Sequence, residues 1–210
     1  MSEFDKNALI KVFGCVASIM SENRDLLCKM DAEMGDGDLG LTMSKLFPAG
    51  EKEAKENEET DIGKLMVKCG MKMNSAAPST MGTLLSFGFI AAGKSFAGKA
   101  SLDKEDFANF YMVFADGLAN RGKARRGDRT VLDALYPAAD SATKAFAEGL
   151  DISGISLAAL NGAREGLEST REMLPKFGKA AVFVDSAIGK IDQGAFAGTL
   201  FIEGIHKAVS

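Results

Sequence analysis

The sequence predicts an all-α protein, folded as one domain of seven or eight helices with two or three glycine-rich loops. Apolar residues recur at helical spacing along almost the whole chain, and the one convincing strand-like run is AAVFV at residues 180–184. The chain has 210 residues, of which 46% are hydrophobic and 26% are charged, which is a globular composition with the length for one well-buried core. No linker or repeat divides it, so residues 1–210 are expected to form a single domain.

Six segments carry stripes of apolar residues three and four positions apart, and each predicts a helix. In the first segment the stripe consists of Ala8, Val12, Cys15, Val16 and Ile19. In chain order the segments are FDKNALIKVFGCVASIM, DIGKLMVKCGMKMN, SLDKEDFANFYMVFADGLAN, RTVLDALYPAADSATKAFAEGL, SLAALNGAREGLESTREML and GAFAGTLFIEGIHKAV.

The four prolines are expected to interrupt this helical pattern. Pro48, Pro78 and Pro175 are predicted to lie in loops or at helix ends, because proline lacks a backbone N–H and clashes with the preceding turn. Pro137 lies within an apolar stripe, which predicts either the start of a turn or a kinked helix.

Charge and cysteine content argue against several classes of protein. The net charge of −4 is the wrong sign for a protein that binds nucleic acid through its phosphates. No run of eighteen apolar residues predicts a membrane span, and the N-terminus has no pattern of a secretory signal. The three cysteines are odd in number and widely spaced, which favours reduced thiols and a cytoplasmic location.

A single histidine, His206, limits the available chemistry. With no CxxC or HxxxH pattern, a zinc site of histidine and cysteine ligands is not expected. His206 lies in a helical stripe with no nearby catalytic partner and is interpreted as a surface or packing residue. Any bound metal is therefore expected to have oxygen ligands, as magnesium and calcium do.

The stretch GFIAAGKS at residues 88–95 matches the pattern of a phosphate-binding loop, GxxxxGK[ST]. Such a loop requires a strand before it and a helix after it, whereas this stretch and its flanks have the apolar period of a helix buried nearly all round. Gly-Lys occurs six times in the chain, so one chance match is unremarkable. A buried helix is predicted, and a phosphate-loop enzyme remains the minor alternative, supported by the apolar run that ends at Asp185.

The stretch DAEMGDGDLGLTM at residues 31–43 is a stronger candidate for phosphate chemistry. Asp31, Asp36 and Asp38 place three carboxylates in eight residues, separated by glycines that allow a tight turn between two helices. Like charges this close repel one another unless a cation neutralises them, and magnesium commonly bridges carboxylates to phosphates. The spacing does not fit a calcium EF-hand. A solvated acidic turn with Asp36 or Asp38 as the N-cap of the next helix explains the pattern equally well.

Two further loops have patterns typical of anion binding. Residues 121–130 are rich in basic residues and precede a helical stripe, where Asp128 or Thr130 could be the cap; the alternative is an exposed charged loop. Residues 178–195 end in GKIDQGA at the start of the last helix, for which the alternative is a plain helix cap. The basic residues of the first loop are Arg121, Lys123, Arg125, Arg126 and Arg129.

Four motifs in order resemble the nucleotide-binding L subunit of dihydroxyacetone kinase and the equivalent C-terminal domain of the single-chain, ATP-dependent enzymes. They are D-x-E-x-G-D-x-D-x-G, a Gly/Ser loop near residues 75–83, R-G-K-A-x-x-G-D-[KR]-T, and G-[KR]-A followed by I-G-x-x-D-x-G-A. The resemblance covers essentially the whole chain and implies a barrel of eight antiparallel helices. It also implies that Asp31, Asp36 and Asp38 are the catalytic residues and hold two magnesium ions against the phosphates of ADP or ATP.

The resemblance also implies which residues line the nucleotide, although three of its motifs are altered. The implied residues are Leu39, Gly40, Leu41, Thr42, Thr80, Met81, Gly122, Val131, Lys179, Asp192, Gln193 and Gly194. Leu39 stands where the family usually has histidine, PSTMGTL replaces a loop of small residues, and GKIDQGA departs from the family's closing motif. The three aspartates are intact, so magnesium and phosphate binding are expected, while the substrate could be another short ketose.

The resemblance implies partners as well. In the family the ketose is held covalently by a histidine on a separate K subunit, so this chain is expected to act only with that partner, as a homodimer or hetero-oligomer. The phosphoryl donor is either exchangeable ATP or a phosphotransferase-system protein that recharges bound ADP. Lys179 and residues 121–129 are expected to offset charge during transfer. The competing interpretation is a non-catalytic, nucleotide-sensing regulatory subunit with the same fold.

Overall fold

Among the residues that the structure describes, eight helices pack side by side in a closed ring, and a ninth, short helix packs mainly against one of them. The structure is a computed structural model that describes residues 3–177, 181 and 187–210. Within these residues the helices are α1 (Lys6–Glu22), α2 (Arg24–Ala32), α3 (Leu39–Glu56), α4 (Ile62–Ala76), α5 (Thr80–Ser95), α6 (Lys104–Gly122), α7 (Leu132–Ala147), α8 (Ile152–Ser169) and α9 (Gln193–Val209).

The ring follows chain order and closes on itself. From α3 to α9, each helix packs against the next one in the chain. Helix α1 closes the ring, because it packs against both α9 and α3. Because short connections reverse the chain between neighbours, the direction of the helices alternates around the ring. The short helix α2 packs mainly on α3. The prediction of an all-α barrel of about eight antiparallel helices is confirmed.

Phenylalanine side chains fill the centre of the ring. The ring centroid of Phe89 on α5 lies 5.0 Å from that of Phe13, 5.1 Å from that of Phe114 and 5.8 Å from that of Phe201. All four rings are at most 1% exposed. Burial of each such side chain stabilises the fold by about 1.5–3 kcal/mol, so this cluster is a main cohesive element of the barrel.

The GxxxxGK[ST] stretch lies inside α5 and does not form a phosphate-binding loop. Its Phe89 is part of the central aromatic cluster, and Gly88 and Gly93 are buried helical residues. A Cβ atom on Gly93 would lie 2.4 Å from the carbonyl oxygen of Gly63, so α4 and α5 touch here through their backbones. The prediction of a buried helix is confirmed, except that Lys94 and Ser95 in its last turn are exposed.

One of the proline predictions is wrong. Pro48 lies in the interior of α3 rather than at a helix end. Its ring is on the exposed side of the helix, where water can hydrogen-bond the carbonyl that the missing N–H leaves free, while the opposite face buries Leu46 and Phe47. Pro137 lies inside α7, in agreement with the helical alternative. Pro78 and Pro175 lie in connections, as expected.

Several other sequence predictions concern single residues or segments. The strand-like run at 180–184 lies outside the described residues, apart from Ala181. His206 Nδ1 is 2.9 Å from Ser156 Oγ, which agrees with a packing role. The three cysteines are free, and burial raises the pKa of the Cys69 thiol to about 12. None of the helices that the structure describes combines the length and apolarity needed to cross a membrane.

The backbone contact between α4 and α5 predicts a large difference between two adjacent substitutions. Gly93→Ala should lower the free energy of unfolding by about 1–3 kcal/mol, because its new methyl group would overlap the Gly63 carbonyl. Lys94→Ala, on the exposed side of the same turn, should change the free energy of unfolding by less than about 0.5 kcal/mol. Urea unfolding of both variants measures the difference, and equal stabilities would contradict the close contact.

Candidate functional site

One end of the ring, here called the upper end, gathers the N-termini of α3, α5, α7 and α9. Their first residues line a cavity of about 520 Å³, here called the first cavity. Helix N-termini present backbone amides without helical partners and the positive end of the helix dipole, so an anion placed there is stabilised. From these termini the cavity is lined by Asp38, Leu39, Thr80, Met81, Val131, Gln193 and Gly194.

The acidic loop, residues 31–38, forms one wall of the first cavity. Asp31 is the second-last residue of α2, and Asp38 is the residue immediately before α3. One carboxylate oxygen from each of Asp31, Asp36 and Asp38 lies within 4.8 Å of the other two. Asp31 is buried, and the other two are exposed at the cavity. The three side chains that the sequence grouped by spacing are therefore also grouped in space.

The loop closes because the Asp31 carboxylate binds the start of the next helix. Its Oδ2 accepts hydrogen bonds from the amides of Asp38 at 3.0 Å and Leu39 at 3.3 Å. Gly37 has a φ of +76°, which favours glycine, and a Cβ on Gly35 would lie 2.5 Å from Asp31 Oδ1. The amides at the start of α3 are thus bonded by Asp31, whereas the Asp38 side chain makes no cap hydrogen bond although it stands at the N-cap position.

The chemistry of this group favours a hard divalent cation. Three carboxylates at these distances repel one another, and the four helix dipoles reduce that repulsion only in part. An oxygen-only set on a short loop that is open to a cavity suits magnesium, which keeps some waters and commonly bridges carboxylates to phosphates. The residues present therefore fit a magnesium site next to an anion-binding cavity.

A second cavity, of about 750 Å³, adjoins the first one on the side of α4 and α6. Both share the wall formed by Ser79, Thr80, Leu84, Thr130 and Val131, among others. The second cavity exposes more apolar than polar surface and contains Leu118, Arg121 and Gly122. The amide oxygen of its Asn74 is buried without a hydrogen-bond partner among the described residues. Both cavities expose more apolar than polar surface, and together they form one groove with the carboxylates of the acidic loop at the end formed by the first cavity.

The structure brings most of the sequence-predicted lining residues to this groove, and among the described residues it places three of them elsewhere. Leu41 and Thr42 line a small depression of about 220 Å³ on the outer side of Asp38. Gly40 lines none of these cavities, because it packs on α2, where a Cβ would lie 2.0 Å from the carbonyl oxygen of Arg24. Lys179 lies outside the described residues. In the groove are Leu39, Thr80, Met81, Gly122, Val131, Asp192, Gln193 and Gly194.

The basic residues of 121–129 do not act as one exposed group. Arg121 lines the second cavity, with its guanidinium 4.7 Å from the centre of the Phe87 ring. Lys123, Arg125 and Arg126 line a separate depression on the other side of the segment. Arg126 Nη1 is 2.7 Å from the carboxylate of Asp140. These three side chains therefore line neither of the two cavities, whereas Arg121 lines the second one.

Arg129 differs from its neighbours because it is buried, with a side chain that is 0% exposed. Its Nη1 lies 3.6 Å from Asp192 Oδ1, and Asp192 is the N-cap of α9, where its Oδ2 accepts a hydrogen bond from the Ala195 amide at 2.8 Å. The plain-cap interpretation of Asp192 is correct, and the same residue lines the first cavity. Burial outweighs the helix amides and Arg129 and raises the pKa of Asp192 to about 6.

Sequence reasoning missed several lining residues. Ser79 is the N-cap of α5: its Oγ accepts the Gly82 amide at 3.0 Å and lies 3.2 Å from Thr42 Oγ1. A serine directly ahead of an apolar stripe is a recognisable cap signal that could have identified it. Phe177 lines both cavities, and no pattern identifies it, because its place depends on the neighbouring Lys176, whose ammonium lies 2.8 Å from Asp128.

Comparison with known proteins yields a consistent set of relatives. A family model described as the DAK2 domain matches residues 33–207. The ADP-binding subunit DhaL of the PEP-dependent dihydroxyacetone kinase of Escherichia coli (strain K12) is 30% identical over 177 residues, which are 84% of either chain. The ADP-binding subunit DhaL of PEP-dependent dihydroxyacetone kinase 2 of Listeria innocua is 27% identical over 200 residues, or 92% of either chain.

A solved structure has the same fold. The dihydroxyacetone kinase from C. freundii, crystallised with AMP-PNP and Mg²⁺, superimposes with a TM-score of 0.70 at 24% identity. The superposition covers 95% of this chain and 33% of that one. The all-helical barrel described above is therefore also found as one part of a longer kinase chain.

Burial of Asp192 predicts a pH dependence of stability in metal-free buffer. An unfolded Asp192 ionises near its ordinary pKa of 3.8, whereas the folded one holds its proton to about pH 6, so its contribution to stability is lost as the pH rises through this window. The loss amounts to about 3 kcal/mol. Asp192→Asn cannot ionise, so its unfolding free energy relative to wild type should rise between pH 4 and 6 and then level off.

The measurement is urea unfolding at several pH values, with Asp61→Asn as the matched control. Asp61 is the N-cap of α4, and its hydrogen bond from the Lys64 amide lowers its pKa. Its stabilising contribution is therefore lost as the pH falls, so the Asp61→Asn difference should change with pH in the opposite direction. Parallel pH profiles for the two variants would contradict the raised pKa of Asp192.

Proposed function

The chain belongs to the DAK2 domain family, and from this we propose that it is the nucleotide-binding subunit of a dihydroxyacetone kinase. In this function residues 1–210 form one domain that binds magnesium with ADP or ATP, and the complex phosphorylates dihydroxyacetone or a related short ketose. The proposal rests on one observation: the carboxylates of Asp31, Asp36 and Asp38 and the N-termini of four helices lie at the same cavity.

We assign Asp31, Asp36 and Asp38 to the metal, as ligands of two magnesium ions. Three carboxylates within 4.8 Å supply enough oxygen atoms for two ions to share them, with water and phosphate oxygens as the remaining ligands. Asp31 already orders the start of α3 through two amides, so the loop is held in its closed form by the protein's own hydrogen bonds.

The groove suggests the orientation of the nucleotide. The phosphates would lie in the first cavity, where the amides at the starts of α5 and α9 and the metal-binding loop meet. The base and ribose would extend into the larger second cavity, between the apolar side chains of Leu84 and Leu118. Thr80, Met81, Gly122, Val131, Asp192, Gln193 and Gly194 are the proposed contacts along the groove, together with Leu39.

Catalysis in this proposal consists of positioning and charge stabilisation. When bound, magnesium neutralises the phosphate oxygens and supports the charge that develops on them during transfer. The three aspartates hold the ions, and the helix N-termini orient the phosphates. Arg121 adds a positive charge at the second cavity. Lys179, which lies outside the described residues, remains a predicted contact.

A partner must hold the ketose. The only histidine, His206, is bonded to Ser156 near the C-terminal end of α9, far along the barrel from the acidic loop. Three exposed apolar side chains, here called the apolar rim, lie within four residues in sequence of residues that line the groove: Leu41 is 49% exposed, Leu174 51% and Ile188 61%. We propose that a K subunit covers this apolar rim and presents its ketose to the phosphates. The donor is either exchangeable ATP or a phosphotransferase-system protein, and a cytoplasmic location agrees with the free thiols.

A regulatory subunit that senses nucleotide without transferring phosphate is the second candidate. Leu39 and the altered loop at 78–81 favour it, because both line the groove. The discriminating experiment mixes this chain with a K subunit, dihydroxyacetone and a phosphoryl donor. Product formation rejects the regulatory interpretation, and ADP binding without turnover supports it.

Calorimetry of ADP binding tests the proposed function directly. Wild type should bind ADP in the presence of Mg²⁺ and lose most of its affinity in EDTA, because the phosphates contact carboxylate-bound metal. Asp36→Asn should reduce the affinity about 10-fold or more, since it removes one ligand charge from the metal site.

Lys94→Ala is the matched control for this measurement. Lys94 belongs to the GxxxxGK[ST] stretch but lies exposed in the last turn of α5, near the lower end of the barrel. Its substitution should leave ADP affinity unchanged. Loss of binding in Lys94→Ala with normal binding in Asp36→Asn would support the phosphate-loop alternative, and no ADP binding by wild type under either condition would reject the proposed kinase function.

A further inference from the structure

Arg129 has a place in the fold that the proposed nucleotide contacts do not explain. Arg129 is among the residues that line the first cavity, but its side chain is 0% exposed, and its guanidinium makes its hydrogen bonds to groups of the protein itself. A buried guanidinium is tolerated only when protein groups satisfy its hydrogen bonds. These partners identify what Arg129 holds together.

The guanidinium binds two segments that are distant in sequence. Nε donates to the carbonyl oxygen of Thr170 at 3.2 Å, directly after α8. Nη2 donates to the carbonyl oxygens of Ala187 at 3.2 Å and Lys190 at 3.0 Å, on the approach to α9. Together with the contact to Asp192, these bonds attach the chain before α9 to the turn that precedes α7. Three carbonyls and one carboxylate are a set that the planar, forked guanidinium can satisfy and a lysine cannot.

On its other side Arg129 contacts the back of the acidic loop. Nη1 lies 3.9 Å from the sulfur of Met34, which is 2% exposed and forms a small apolar cluster with Ala187. At the surface the ammonium of Lys190 lies 2.7 Å from Glu33, which lowers the pKa of that carboxyl. The metal-binding loop and the approach to α9 therefore meet at Arg129.

The backbone around Arg129 is shaped to direct its side chain inward. Arg129 has a φ of +59°, in the left-handed region that non-glycine residues seldom adopt. Asp133 of α7 stabilises this turn, since its Oδ2 accepts the Thr130 amide at 2.8 Å and its Oδ1 accepts the Gly127 amide. The next two residues, Thr130 and Val131, line both cavities. A strained backbone that is held in this way next to a cavity is typical of a functional constraint.

From these contacts we propose that Arg129 is a positioning residue for the nucleotide site. It sets the metal-binding loop, the α7 turn and the N-terminus of α9 in the arrangement in which all three reach one ligand, through its hydrogen bonds to protein groups. This inference rests on the proposed nucleotide-binding function and adds a residue that acts through Asp192, Val131 and the acidic loop.

The test compares substitutions in two backgrounds by calorimetry with ADP and Mg²⁺. Arg129→Met in wild type leaves the buried Asp192 charge without its partner, so both stability and affinity should fall. In the Asp192→Asn background that charge is absent, and asparagine can still cap α9. There Arg129→Met should still lower ADP affinity about 10-fold or more relative to Asp192→Asn alone, as loss of a supporting contact does at metal sites.

Two further variants separate positioning from general stability. Arg129→Lys keeps the charge but not the set of hydrogen bonds and should not restore affinity. Arg126→Met removes an exposed arginine three positions away, which pairs with Asp140, and should bind ADP as wild type does. If Arg129→Met binds ADP as tightly as its parent protein in either background, or if Arg129→Lys binds ADP as tightly as wild type, the inference is overturned.

Hydrogen exchange without any ligand keeps this inference separate from the proposed function. Arg129→Met should speed exchange of the Ala195 and Leu39 amides, which are bonded to Asp192 and Asp31, relative to the Ala8 amide at the N-terminus of α1. If wild type binds no ADP, the kinase proposal fails, and with it the role of Arg129 in nucleotide binding. Faster exchange would then leave Arg129 as an organiser of this end of the fold, and unchanged exchange would overturn that role as well.

Discussion

The closed ring of alternating helices is the constraint on which the rest of the structure depends. In such a ring every second helix has the same direction, so α3, α5, α7 and α9 all begin at the upper end. Each brings amides without helical partners and a partial positive charge to the same place. An even number of helices and short connections are sufficient to create an anion-binding end, before any particular side chain is considered.

The carboxylates of the acidic loop lie next to the positively charged helix termini and partly neutralise them. Asp31 occupies two of the amides at the start of α3, which places negative charge where helix dipoles favour it. Asp36 and Asp38 add further negative charge beside it, so the upper end combines positive helix termini with a group of carboxylates. A metal ion bound to a polyphosphate also combines both signs of charge, and this electrostatic match explains why a protein of net charge −4 is suited to an anionic ligand.

Whether a feature of this protein can be predicted from the sequence depends on how far apart in the chain its interacting residues lie. Helices such as α1 and α4 are predictable because their stripes of apolar residues are local patterns, and the aspartate group is predictable because it lies within eight residues. The burial of Arg129 cannot be predicted in this way, because its partners Thr170 and Lys190 are distant in sequence and reach it only when the ring of helices closes. The prediction for Pro48 was wrong because the low helix propensity of proline does not take into account which side of a helix faces water. Gly40 allows the close approach of α2, and this neighbour is likewise not visible in the local sequence pattern.

The central phenylalanine cluster and the groove involve different parts of the same helices. The cluster is formed by residues in the middle of the barrel, such as Phe89 and Phe114, whereas the groove is formed by helix caps, the terminal turns of helices and the connections between them. Substitutions in those connections leave the aromatic packing untouched, and connections tolerate sequence change more readily than the helices they join. During evolution such a barrel can therefore change its ligand or its partner through substitutions in the connections at the upper end, while the aromatic packing that stabilises it is retained.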